Sequence, residues 1–95
     1  MKRLDQYESV EFSVDGLEFS YRFRIWHIPP YSNVILIGKD SRILPYLQVG
    51  ARLKMEYYFP GGAYSGCARE TTIKKISREE AGRFQGHFLV DLEPS

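Results

Sequence analysis

Arg22, Arg24 and Trp26 stand two residues apart in the stretch "YRFRIW". On an extended chain that spacing puts two guanidiniums and an indole on one face. A guanidinium is a planar fork that grips phosphate with paired hydrogen bonds and stacks on bases, and an indole is a stacking platform. Such a face suits a nucleotide or single-stranded nucleic acid. It equally suits a solvated strand whose arginines pair with Glu11, Glu18 or Glu56 on neighbouring strands. A second polar group lies in "SNVILIGKDSRILP", Ser32 to Pro45, where an apolar run ends in Gly38 and Lys39, Asp40, Ser41 and Arg42 follow at once. This is either a loop that holds an anionic ligand or a corner between two strands. Arg69, Lys74 and Lys75 either extend a phosphate-binding patch or act as edge-strand charges that discourage aggregation.

No catalytic or metal-binding spacing accompanies these groups. His27 sits beside prolines at a strand end, His87 in mid-strand and Cys67 in a glycine loop. No two of them stand at the spacing of paired ligands. No serine occupies a nucleophile elbow, and Glu79-Glu80 reads as a solvated turn rather than an acid/base pair. The residues point to no enzyme, no cofactor and no metal site. Thirteen basic against twelve acidic residues leave a net charge of +1. That balance argues against a dedicated DNA-binding surface and places nucleic acid behind a protein partner. A single cysteine forms no intramolecular disulfide, and a free thiol fits a reducing compartment. "MKRLDQYESV" lacks the apolar core of a signal peptide, and no apolar run approaches the roughly 18 residues of a membrane span. A soluble, cytoplasmic chain without membrane insertion is expected.

Strands must position the candidate residues, because alternation dominates the chain. Val10, Phe12 and Val14 alternate with Glu11 and Ser13, the period of a half-buried strand. Asp15-Gly16 then predicts a tight hairpin turn. The return strand places Leu17, Phe19, Tyr21, Phe23 and Ile25 on one face and Glu18, Ser20, Arg22, Arg24 and Trp26 on the other, until Pro29-Pro30 stops it. "NVILI" reads as a buried strand, and a short helical turn within Lys39 to Gln48 is expected to be capped by Asp40 or Ser41. Leu53, Met55, Tyr57 and Phe59 mark another strand. In "ARETTIKKI", Ile73 and Ile76 cannot share a face of a regular strand, which predicts a bulge near Lys74-Lys75. Ser77 to Glu80 has capping-box spacing for at most one turn of helix. The last strand sets Phe84, Gly86, Phe88, Val90 and Leu92 against Gln85, His87, Leu89 and Asp91. The whole predicts an all-β chain: one domain over residues 1–95, a small antiparallel barrel of about six strands with at most short helical turns. Residues 1–9 are the segment left open to flexibility.

From Asn33 to Glu93 the order of features resembles the PilZ domain. A strand runs into a glycine turn, a short connection leads to "LQVGARLKMEYY", and "ARETTIKKI" and the closing "GRFQGHFLVDLE" follow. The resemblance implies a PilZ-like split barrel and a place in bacterial signalling. Family members that bind cyclic di-GMP carry Arg-x-x-x-Arg before the barrel and an Asp/Asn-x-Ser-x-x-Gly turn. Laid on this chain, the second motif matches Asn33 and Gly38 but has Ile35 in the serine place. A frame from Asp40 has Arg42 and Pro45 in the serine and glycine places. The first motif is absent: Arg3 has no partner at the required spacing, and Arg22 and Arg24 are two apart. The resemblance therefore implies a non-catalytic regulatory or interaction module with cyclic di-GMP binding weakened or lost. Its protein-partner surface would be Trp26, Tyr58 and Leu89. Two alternatives remain. One is an atypical cyclic di-GMP sensor using Arg22, Arg24, Asn33 and Gly38. The other is a nucleic-acid-binding barrel using Arg22, Arg24, Trp26 and Lys74-Lys75.

Overall fold

The alternating segments become six antiparallel strands in the computed structural model, which describes residues 7–28, 33–61, 66–78, 82 and 85–95. They are β1 (Ser9–Phe12), β2 (Tyr21–Arg24), β3 (Val34–Gly38), β4 (Arg52–Tyr58), β5 (Gly66–Arg78) and β6 (His87–Pro94). The sheet order is β2-β1-β4-β5-β6-β3. Its two outer strands meet again where Trp26, just beyond β2, pairs with Val34. The Trp26 N–H donates to the Val34 carbonyl at 2.7 Å, and the Val34 N–H to the Trp26 carbonyl at 2.9 Å. The result is a nearly closed all-β barrel, as the alternation predicts. A single 3-10 turn, Leu44–Tyr46, is the only helical element among the described residues. None of their helices is long and apolar enough to cross a membrane.

One face of each strand fills the interior. Val10 and Phe12, Ile35 and Ile37, Met55 and Tyr57, Ile73, and Val90 and Leu92 are all buried in a single cluster. Full burial of such a side chain contributes about 1.5–3 kcal/mol. The 13-residue strand β5 pairs with both β4 and β6, and it does so through the predicted bulge. Ile73 faces Leu92 and Lys75 faces Asp91, so Lys74 has no opposite residue. That extra residue inverts the alternation, and Ile73 and Ile76 can both pack on the core.

Several expectations are corrected. The Asp15-Gly16 turn forms, with Gly16 at φ +98° and the Leu17 N–H on the Val14 carbonyl at 3.2 Å. The ladder does not continue from it, because Phe12 pairs with Tyr21 and residues between them form a loop. Val14 is buried and Leu17 packs on the core, so the loop folds inward rather than extending the hairpin. Phe19, expected to face inward, is 67% exposed. The 3-10 turn is preceded by Ile43 with no side-chain cap, so neither Asp40 nor Ser41 caps it. Strand β5 lies inside the sheet between β4 and β6, so Lys74 and Lys75 are not edge-strand residues. Leu89 sits on the outward-pointing side of β6, opposite Leu36, yet is only 8% exposed. Val34, two residues from Leu36 on that side, is 1% exposed. Pro29-Pro30, Glu79-Glu80, Phe84 and the middle of "PGGAYSG" lie outside the described residues.

The core holds one hydroxyl pair, Tyr57 Oη and Thr71 Oγ1 at 2.6 Å. Burial pushes the Tyr57 phenol up to about 12 against the partial relief of that hydrogen bond. An unfolded tyrosine loses its proton near pH 10 while the folded one keeps it, so stability falls as pH rises from about 10 to 12. Urea denaturation of the wild type should lose about 2–3 kcal/mol more across that window than Tyr57→Phe does.

Candidate functional site

The outward face of β1, β2 and β4 carries the arginines. Alternation turns Val10 and Phe12 inward, so Ser9 and Glu11 point out, and β2 likewise sends Arg22 and Arg24 outward. The Arg22 guanidinium lies over the Tyr58 ring, 4.1 Å from its centroid. Its Nε and Nη2 both donate to Ser9 Oγ, at 3.3 and 3.2 Å. The Arg24 guanidinium lies over the Trp26 indole at 4.4 Å. Each contact contributes about 0.5–1 kcal/mol at an exposed site. The larger consequence is orientation, since two long side chains are laid flat against aromatic seats. Beside them Glu8, Ser9, Arg22, Phe23 and Arg24 line an open depression of about 580 Å³.

The expected pairing of these arginines with carboxylates does not occur. Among the described residues neither Arg22 nor Arg24 forms an ion pair, although Glu11 is the register partner of Arg22. Glu11 in turn stands opposite Glu56, so Arg22 shares its cross-strand row with a like-charge pair. Glu56 turns away along its own strand and accepts the Tyr58 hydroxyl at 2.9 Å. Its side chain lies over Gly66, where an added Cβ would meet Glu56 Cγ at 2.5 Å. The Glu56 carboxylate, through this hydrogen bond first, raises the Tyr58 phenol above its ordinary value.

Asn33 and Gly38 do not form a turn. They bracket strand β3, whose Val34–Gly38 ladder with β6 is continuous from Asp91 to His87. Five strand residues separate their ends by about 16 Å, so the two motif positions cannot grip one base. Asn33 sits next to the Trp26–Val34 pair and its carbonyl accepts the Leu92 N–H at 2.8 Å. Gly38, Asp40, Ser41 and Arg42 belong to the opposite end, where the Ser41 N–H donates to the Gly38 carbonyl at 3.0 Å. From Asn33 to Pro45 the stretch is thus a strand and a corner, and among the described residues no hydrogen bond joins its polar groups to Arg22 or Arg24.

The remaining candidates separate as well. Trp26, Tyr58 and Leu89 do not make one exposed apolar surface: Arg24 and Arg22 lie over the two rings, and Leu89 is buried. Lys74 reaches Glu93 at 3.6 Å. Arg69 donates from Nε to the Tyr7 hydroxyl at 2.7 Å and from Nη1 to the Ser95 carbonyl at 2.8 Å. It therefore serves a separate aromatic group in which Tyr7 meets Tyr57 and Phe59 at 4.7 and 4.9 Å. No cluster of three metal-ligating side chains occurs among the described residues. Ser9 escaped the sequence reading as a member of the site, and Glu56 entered it only as an ion-pair partner of the arginines; the register with β1 and β4 sets both in place.

No protein-family model, curated protein or solved structure matches the chain.

Substituting Glu56→Gln should lower the Tyr58 phenol back toward its ordinary value, because a neutral amide no longer opposes the phenolate. An absorbance titration of the tyrosines, compared between wild type and variant, reads this directly.

Proposed function

We propose that this protein is a non-catalytic binding module acting in a regulatory, cytoplasmic setting. Its working surface is the outer face of β1, β2 and β4. Recognition of cyclic di-GMP in the PilZ manner is weakened or lost. The observation that carries the reading is the pair of guanidiniums held on Tyr58 and Trp26 without an ion pair among the described residues. Charged groups oriented in advance and left unneutralised lose less conformational freedom on binding, which favours an anionic partner. The separation of Asn33 from Gly38 by a full strand supports the loss of the messenger turn, since its polar groups cannot converge on one base.

A two-dimensional amide NMR titration with cyclic di-GMP tests this. No saturable shifts are expected at Asn33 to Arg42 up to millimolar ligand. Saturable shifts clustered at Arg22, Arg24, Asn33 and Gly38 to Arg42 overturn the reading.

A further inference from the structure

We propose that the Arg22–Arg24 face binds a phosphodiester-linked nucleotide chain laid along β2, with successive phosphates on the two arginines and bases stacked beside them. The inference rests on the reading of this face as the working surface, and it adds the chemical class of the ligand.

Three features of the face converge on that class. Arg22 and Arg24 both point outward from β2 and both are exposed. Two residues of strand separate them by about 7 Å, a spacing that neighbouring phosphates of an extended nucleotide chain can match. Each guanidinium has one plane against an aromatic ring. The opposite plane can take a base, and stacking of bases on aromatic and guanidinium surfaces is the sequence-tolerant element of single-strand binding. Arg22 spends its Nε and one Nη2 proton on the neutral Ser9 hydroxyl, so the outer part of its fork and its full charge remain for phosphate.

The flanking charges fix the direction of the chain. Glu11 is the cross-strand neighbour of Arg22 and in turn faces Glu56 across β1 and β4. A polyanion crossing the strands would meet both carboxylates, whereas one running along β2 meets Arg22 and then Arg24. The contact is therefore short, about two phosphates. This also reconciles the site with a net charge of +1, because a two-phosphate contact needs no basic excess over the whole protein. An acidic peptide satisfies the charges but leaves the stacking planes unused, and the nucleotide chain uses both.

Binding of a fluorescent deoxythymidine decamer, measured by anisotropy at low salt, tests the proposal. Two phosphate contacts on a single strand give a slope of log affinity against log salt near about −1.4. Arg22→Gln and Arg24→Gln should each weaken binding roughly tenfold. Lys74→Gln/Lys75→Gln, which removes two charges elsewhere where each arginine variant removes one, should change it much less. Far-UV circular dichroism and amide spectra establish that each variant keeps the barrel. Titration with the dinucleotide pTpT separates the two sources of the ligand: comparable per-site affinity means that two linked nucleotides suffice, and loss of binding means that a longer strand is required. No saturable decamer binding, or equal weakening by the lysine variant, overturns the assignment. So does polyglutamate binding as tightly as the decamer, since charge alone would then explain the face. Arginine-dependent binding of polyglutamate as tight as that of the decamer keeps the working surface and overturns only the nucleotide class, whereas loss of binding to both anions overturns both, so the two fail separately.

Discussion

Two backbone hydrogen bonds between Trp26 and Val34 bring together the ends of a sheet whose order runs from β2 to β3. Without this closure β2 would be a free edge, and Ile25, buried at 4% exposure just before the bridge, would lose its cover. The bridge also fixes where Trp26 stands. Its indole is held beside the strand that presents Arg24, so the second aromatic seat depends on closure of the barrel. The first seat depends on the β1–β4 ladder, which sets Ser9 opposite Tyr58 while β2 sets Arg24 opposite Ser9.

The face that results combines relaxed contacts with a stressed one. Arginines over aromatic rings gain dispersion and quadrupole attraction without losing their hydration entirely. Glu11 opposite Glu56 is a like-charge neighbour pair, of the kind that destabilises a strand pair. Glu56 relieves part of that repulsion by bending over Gly66 to the Tyr58 hydroxyl. A side chain at position 66 would obstruct this path, so the glycine that opens β5 has a role in the electrostatics of the surface two strands away.

Much of this was legible before the fold was known. The strand faces, the inward apolar set and the bulge at Lys74 follow from period two, because a residue that breaks the period must be inserted or exposed. The Arg22–Arg24–Trp26 face was legible for the same reason. The partners of that face were not. Whether Arg22 meets Glu11, Glu56 or Tyr58 depends on register and side-chain rotamer across three strands, and local pattern carries neither. Leu89 illustrates the limit from the other side: alternation placed it correctly on the outward face of β6. Its burial is a tertiary outcome that period two does not encode.

By itself the sequence determined the all-β class, the inward and outward faces of the paired strands, and the absence of ligand-spaced histidines and cysteines. These are properties of short segments, governed by backbone pleat and turn chemistry. Tertiary structure alone decided that Asn33 and Gly38 lie at opposite ends of a strand and that Lys74 and Lys75 lie in an interior strand. It also decided that the two arginines rest on aromatic rings instead of carboxylates. Those outcomes rest on which strands become neighbours, and strand order is set by burial of the whole core rather than by any one segment.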